Sequence, residues 1–580
     1  MEASDECEND LMASVSEERR RLNKAVFDWC LRNAQGCITE DALEQSFQWA
    51  QLAARFAIRF PFGEMASCAL EEHLLRIARE LPIPRHNAAR RGQGHEQWLH
   101  VSTETYPTGG HTAIIRRWIE LDASAHRHSI AVLDQKTEVP TALSELVHGT
   151  GGDVLKSDRN ASLLSRAMQL RKASMEVDVV VLHLFPDEVI PVVALGVSCG
   201  PPVLLMNIAD HEFWSGGSVA DVVVNLRQSG DEWIVRHRGI PRISYLPTPL
   251  AMPDMTAEQY SELRASTRKA LELPLEAPVI LTSGEAYKYT PLPDLNFFGA
   301  ARAILASCPD ACLLAVGPSA VDEWKALQEG TGGRVRAVGL QKDVSAYRAC
   351  ADIYLEGFPF GSNAAFLEAC MDEIPCIRAP RVCLPLVGSD GVAPEQLEQP
   401  ADISAYVKRA IELIADKDER RRCGKSLARA VRERHTGPGW VRYLRNLETQ
   451  LPTGHSVFHL SAPEPVPEQV ADFWTKFLIQ RFGNEDPLNN AYRSALSLGL
   501  KPKMDDALMK VVRPSRHVRG GNAAHERVIS LMGPILSMLP TKTSGLIYDK
   551  VVGHLCHDGR IMDACRWVRD GFSHRLRTSF

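Results

Sequence analysis

The sequence predicts an α/β protein with two consecutive doubly wound domains and a helical region at each end. Three observations carry this expectation. Short apolar runs alternate with helix-period segments from about residue 96 to 450, the pattern of a parallel sheet with crossover helices. Pro-rich breaks divide the chain at Pro247, Pro249 and Pro253, and again from Pro452 to Pro467. Helical periodicity without strands fills both ends. The expected organisation is a helical region over 1–95, a first doubly wound domain over 96–250 and a second over 251–450. A Pro-rich linker over 451–470 and a helical region over 471–580 complete it. A chain of 580 residues is long enough for three or more folding units.

The elements follow in order. Glu17 to Cys30, Asp41 to Phe60 and Ala66 to Leu81 carry apolar residues at three- and four-residue spacing, as helices do. Leu81-Pro82-Ile83-Pro84 ends them, and the polar, Arg-rich stretch to Gln97 reads as a linker. Strands are expected at Trp98 to Val101, Ser129 to Leu133, Val177 to Leu184, Pro202 to Asn207, Val219 to Leu226 and Ile243 to Pro247. Val177 to Leu184 is almost unbroken apolar sequence, which suits a parallel strand buried on both faces. A charged helix from Thr256 to Leu271 marks the hinge. The second series has strands at Pro278 to Gly284, Cys312 to Val316, Val335 to Val338, Ile353 to Leu355 and Cys376-Ile377. Helices over Asp402 to Ile414, Arg420 to Arg434 and Gly437 to Leu451 close it.

Composition excludes several classes. Apolar residues make up 45%, charged residues 24%, and the net charge is −6, which gives no support for bulk nucleic-acid binding. No run of about 18 apolar residues marks a membrane span. The start, Met1-Glu2-Ala3-Ser4-Asp5-Glu6, lacks the basic start and apolar core of a signal peptide, so a cytoplasmic protein is expected. Fourteen scattered cysteines contain no tight Cys-x-x-Cys pair. Cys350, Cys370, Cys376 and Cys383 share one stretch, and core packing accounts for them better than a metal cluster.

The most informative segment runs from Ala351 to Cys370. An apolar strand leads into the turn Phe358-Pro359-Phe360, and a helix opens at Gly361-Ser362-Asn363. A helix N-terminus has unpaired N–H groups and the positive end of the dipole, so it seats a diphosphate. Glu368 lies about two turns into this helix, where its carboxylate can accept from sugar or ribose hydroxyls. This order of strand, Gly turn, helix with internal Glu, turn, Pro and strand resembles the donor-binding segment of GT-B glycosyltransferases. Many retaining members carry two acidic residues eight positions apart here. Glu368 matches the second, and Phe360 stands where the first would fall. The Pro359-Phe360-Gly361-Ser362-Asn363 turn is closer to O-GlcNAc transferase and bacterial N-glycosyltransferase-like enzymes.

Other loops fall at strand ends, where ligands sit in doubly wound folds. Thr108-Gly109-Gly110-His111-Thr112 lies between a strand and its helix. In GT-B enzymes a Gly-Gly loop here faces the donor, which implies donor contacts for Gly109 and Gly110 and a donor-side or acid/base role for His111. Asn207 to Gly217 gathers Asp210, His211 and Glu212, and an Asp–His contact suits a general base. Ser283-Gly284-Glu285-Ala286-Tyr287-Lys288 follows the first strand of the second domain. Lys288 can neutralise a departing diphosphate in place of a metal. His183, Asp187 and Glu188 are secondary candidates.

The resemblance covers roughly residues 98 to 450. It implies the GT-B fold, with two Rossmann-like domains facing a cleft. It also implies transfer of a hexosyl or N-acetylhexosaminyl group from a nucleotide-sugar, a UDP-sugar foremost, to a protein or glycan acceptor. Catalytic roles fall to His111, Asp210, His211 and Glu368. Diphosphate and donor contacts fall to Gly109, Gly110, Ser283, Gly284, Lys288, Gly361, Ser362 and Asn363. No cofactor or divalent metal is expected, and the terminal helical regions are the expected sites of self-association or acceptor recognition. A nucleotide-sugar-binding scaffold and a GT-B-type epimerase are the alternatives.

Overall fold

The computed structural model describes residues 2–84, 96–107, 109–228, 230–252, 255–292, 295–381 and 397–512. The Arg-rich patch from Arg513 to Arg519 and Cys383 lie outside the described residues.

Three helices open the chain: α1 (Glu2–Gly36), α2 (Leu43–Arg59) and α3 (Cys68–Glu80). Ser67 caps α3 by accepting from the Leu70 N–H, and Leu70, Leu74, Ile77 and Ala78 form its buried stripe. The first sheet contains β1 (Gln97–Ser102), β2 (Arg127–Val132), β3 (Val154–Lys156), β4 (Val179–His183), β5 (Val203–Asn207), β6 (Val222–Asn225) and β7 (Ile243–Tyr245). Its crossover helices are α4 (Gly110–Asp122), α5 (Thr141–Gly149), α6 (Leu163–Ser174), α7 (Ile190–Leu195) and α8 (Gly230–Arg238). The strand order is β3-β2-β1-β4-β5-β6-β7, all parallel, so the switch point lies between β1 and β4.

Helix α9 (Ala257–Ala270), entered through a capping box of Thr256 and Gln259, leads to the second sheet. This sheet holds β8 (Val279–Ser283), β9 (Cys312–Val316), β10 (Val335–Ala337), β11 (Ile353–Leu355) and β12 (Cys376–Ile377). Its helices are α10 (Phe297–Ser307), α11 (Asp322–Gly330), α12 (Ser345–Cys350), α13 (Asn363–Met371), α14 (Ile403–Ala415) and α15 (Lys417–His435). The order β10-β9-β8-β11-β12 is again parallel, with its switch point between β8 and β11.

Helix α16 (Gly437–Glu448) returns to the first domain. The Trp440 indole donates to the Pro247 carbonyl at 2.6 Å and packs edge-on against Trp118. Leu444 and Leu447 enter the same core as Trp98 and Val179. Residues at the carboxyl ends of both sheets line one cleft. Two doubly wound domains across a cleft, tied by the returning helix α16, make this the GT-B fold.

The Pro-rich segment after α16 is a strap, not a free linker. His455 is buried, with Nδ1 on Asp221 and Nε2 on the Leu195 carbonyl, each at 2.8 Å. Main-chain bonds from Phe458 to Ser218 and from Val466 to Gly63 continue the seam. The described residues end in α17 (Glu468–Phe482), α18 (Pro487–Ser497) and α19 (Asp506–Val512). These pack on α1: the Trp29 indole donates to the Lys503 carbonyl, and Arg32 pairs with Asp505. The N-terminal helices and residues 468–512, far apart in sequence, thus form one helical layer, continuous with the core of the first sheet. No helix among the described residues is long and apolar enough to cross a membrane.

Cys350, Cys370 and Cys376 lie in the apolar core of the second domain, with the Cys370 and Cys376 sulfurs 3.4 Å apart.

Candidate functional site

The cleft between the domains is lined by Gly110, His111, Asn207, Asp210, His211 and Arg227 on one wall. Tyr287, Lys288, Phe360, Gly361 and Asn363 line the other. Seven of the residues expected from sequence therefore meet here on loops more than 250 positions apart at the extremes: Gly110, His111, Asp210, His211, Lys288, Gly361 and Asn363.

The second-domain wall is a half-buried cation at an open helix start. The Lys288 ammonium donates to the Gly361 carbonyl at 3.1 Å and to Ser362 Oγ at 3.0 Å. Ser362 sits at the N-cap of α13, and its hydroxyl makes no bond to the helix N–H groups. Those N–H groups thus keep their capacity for an anion. One end of the Asn363 amide, Oδ1, is buried without a partner. Burial pushes the Lys288 pKa down, as does the like charge of Arg227, while Glu285 and Glu356 oppose the fall. Gly284 packs behind this cation. A Cβ there would lie 2.7 Å from Ser362 Oγ, so glycine is what lets the β8 loop approach α13. Ser283 and Gly284 support the wall from behind; they are not among its lining residues.

The first-domain wall carries two imidazoles. Gly109, with φ +126°, turns the chain into α4, and open space surrounds both Gly109 and Gly110. His111 follows in the first turn, edge-on to Phe185, with Nδ1 buried and without a partner. Burial pushes its pKa down to about 4, so it is neutral at pH 7. His211 lies 3.4 Å from Asp210 through Nδ1 and stacks on Trp474. Asp210 is held chiefly by Arg227, at 2.6 and 3.0 Å. Burial pushes the Asp210 carboxyl up, but Arg227 and His211 outweigh it and leave a pKa of about 2. Asp210 is thus a charged anchor for Arg227 and His211 and a poor proton acceptor itself. The loop is fixed from outside: Arg238 donates to the carbonyls of Met65, Asp210 and Glu212. Glu71 of α3 accepts from the Gly216 and Gly217 N–H groups.

Arg227 carries no sequence motif and was not expected; only the fold brings it beside Asp210. The aromatic cover from α17 was also missed. Phe360 packs on Phe477 at 4.4 Å and on Trp474 at 5.0 Å. Arg481 stacks over Tyr287. The position at which many retaining GT-B enzymes carry an acid is here a docking point for the terminal helical layer.

Glu368 does not join these residues. It lies on the same helix as Asn363, but it binds Arg117 of α4 at 2.9 Å and Arg348 at 3.0 Å. Both carboxylate oxygens are thus engaged by guanidinium groups, one of them from the opposite domain. Glu368→Ala should leave half-buried Arg117 without its carboxylate and Arg348 with Asp372 alone, and lower stability by about 1–3 kcal/mol. The fall would appear in the urea midpoint, with nucleotide affinity unchanged; a selective loss of nucleotide affinity would restore a ligand role.

Three histidines line up under α4. His100 bonds His183 through Nδ1 and His128 through Nε2, each at 3.0 Å, and all three are buried. Burial pushes the His183 pKa down to about 3. A histidine whose folded pKa lies below its unfolded value of about 6.5 favours folding above that value. Its contribution is lost as pH falls through 6.5 toward the folded pKa. Between pH 8 and pH 5, His111 and His183 should each remove up to about 2 kcal/mol. The urea midpoint should fall over that interval, and less steeply in His183→Gln; equal slopes would refute the assignment.

Asp122, His126 and Glu448 bring ligand atoms within 4.8 Å of one another. The Arg445 guanidinium contacts all three, so this cluster already has its cation.

No protein-family model and no curated protein matches the chain; the similarity is to solved structures. A glycosyltransferase from Rickettsia africae is 14% identical, with a TM-score of 0.46, over 61% of this chain and 98% of that one. An O-GlcNAc transferase mutant from Thermobaculum terrenum is 13% identical, with a TM-score of 0.44, over 78% and 83%. Anabaena HepE, in complex with UDP and glucose, is 14% identical, with a TM-score of 0.45, over 61% and 99%. A putative UDP-N-acetylglucosamine 2-epimerase from Listeria monocytogenes is also similar, at 13% identity and a TM-score of 0.38, over 61% and 96%.

Proposed function

We propose that the protein is a metal-independent glycosyltransferase that moves a hexosyl or N-acetylhexosaminyl group from a nucleotide-sugar to a protein or glycan. The observation that supports this most is the pairing of half-buried Lys288 with the open N-terminus of α13, opposite His111 and His211. When the bond from the anomeric carbon to the diphosphate breaks, negative charge grows on the leaving oxygens. A fixed ammonium and helix N–H groups stabilise that charge more than the ground state, which is the condition for catalysis. The acceptor's proton passes to a cleft imidazole. His111, neutral at pH 7, is free to take it. UDP-sugars are the first donors to test.

The test incubates the full chain with UDP-glucose, UDP-galactose or UDP-N-acetylglucosamine in EDTA, with and without peptide and glycan acceptors. UDP release with mass gain on an acceptor supports the reading. An epimerised nucleotide-sugar formed without acceptor would replace it with isomerase chemistry. Absence of UDP release with every donor, or turnover only with added magnesium, would overturn it.

A further inference from the structure

The imidazole row under α4 has a direction, and its end is at the cleft. His128 lies on β2 level with Trp98, His100 is two positions further along β1, and His183 on β4 is level with Ser102. The row therefore climbs across three strands toward the carboxyl edge of the sheet, on one face. Helix α4 covers it. His111, Ile115, Trp118 and Asp122 form one stripe of α4 about 16 Å long. The Trp118 ring touches both His100 and His183. Asp122 stands at one end of the stripe, 3.3 Å from His128 Nε2, and His111 stands at the other.

The anchor dictates the hydrogens. Asp122 is a charged acceptor that also receives bonds from His126 and Arg445. His126, Glu448 and Arg445 are the titratable groups around that end, and the indoles of Trp98 and Trp118 flank the row. His128 Nε2 makes no hydrogen bond, but the Asp122 carboxylate lies 3.3 Å from it; a proton on Nε2 faces that negative charge, and Nδ1 is then bare. That lone pair accepts from His100 Nε2–H, which leaves His100 Nδ1 bare for His183 Nε2–H. His183 Nδ1 then carries a lone pair, buried and without a partner. His111 Nδ1 is also buried without a partner, as is Trp118 Nε1, and a charge on His111 acts on His183.

We propose that the two Nδ1 nitrogens, of His183 and His111, are partners. His111 donates Nδ1–H to His183 Nδ1, directly or through one water, so that Asp122 sets the tautomer of His111 through three imidazoles. His111 Nε2 is thereby bare and faces the cleft as a proton acceptor. When it takes a proton it becomes an imidazolium, with Nδ1–H still on His183; no other bond changes, and the proton later leaves to solvent. His183, His100 and His128 are positioning residues, and Asp122 is their anchor. This relay follows from the geometry whichever substrate the cleft holds.

Long-range 1H–15N correlation spectra of the full chain with 15N-labelled histidine test it at pH 7, without substrate. The expected pattern is neutral Nε2–H imidazoles at His128, His100 and His183 and the rarer Nδ1–H form at His111. An Nε2–H form at His111, or an Nδ1–H form at any of the other three, would overturn the relay. Asp122→Asn, whose amide can donate as well as accept, should mix the tautomers at His183 and His111. Unchanged tautomers in that variant would also overturn it. If the variant does not fold, the wild-type spectrum decides alone. The result does not depend on any activity, so failure of the relay and failure of the glycosyltransferase reading remain separate.

Discussion

Lys288→Ala should lower turnover by about 10²–10³-fold and weaken nucleoside-diphosphate binding, while leaving the fold intact. Lys288 is the half-buried cation of the second-domain wall, and its ammonium bonds Gly361 and Ser362 at the start of α13. Burial has already pushed its pKa down, so part of the cost of holding this charge is met before a ligand arrives. A diphosphate would relieve it, and removal of the ammonium would leave the leaving charge to α13 and Arg227 alone. Direct titration with UDP, alongside single-turnover kinetics, separates loss of binding from loss of rate. Unchanged affinity and rate would remove Lys288 from the site.

His111→Gln should lower kcat by about 10²–10⁴-fold and leave donor affinity almost unchanged. Glutamine keeps polarity and approximate size but cannot accept a proton at neutral pH. His111 has a pKa of about 4 because burial disfavours its charge, so the wild-type rate should show no step near 6.5. A clear inflection near 6.5 that vanishes in His111→Gln would show an exposed, ordinary histidine instead. Equal rates in the variant and the wild type would shift the acceptor-side role to His211, which Asp210 orients.

Much of the fold was legible because parallel strands buried on both faces leave unbroken apolar runs, such as Val177 to Leu184. The edge strand β3 was missed: three residues with Leu155 and Lys156 exposed leave no such run. The Gly361-Ser362-Asn363 helix start and the Lys288 loop were legible because each joins a strand to a helix, where the fold places ligands. Glu368 shows the limit. Its spacing placed it on the right helix, but Arg117 lies 251 positions away and only tertiary structure could pair the two. Arg227 and the histidine row were hidden for the same reason. His100, His128 and His183 look like isolated residues until the sheet register aligns them. The Pro-rich strap also misled, because proline restricts the backbone whether a segment is free or bound along a surface.

The most direct measurement is thermal unfolding of the full chain against a panel of nucleoside diphosphates and nucleotide-sugars, in EDTA. A ligand that binds only the folded state, at a hundred times its dissociation constant, adds about 2.7 kcal/mol. The cleft predicts a clear rise in Tm with one nucleotide family, without metal, and a much smaller rise in Lys288→Ala. No shift with any nucleotide, or a shift only after magnesium is restored, would contradict a metal-independent diphosphate site.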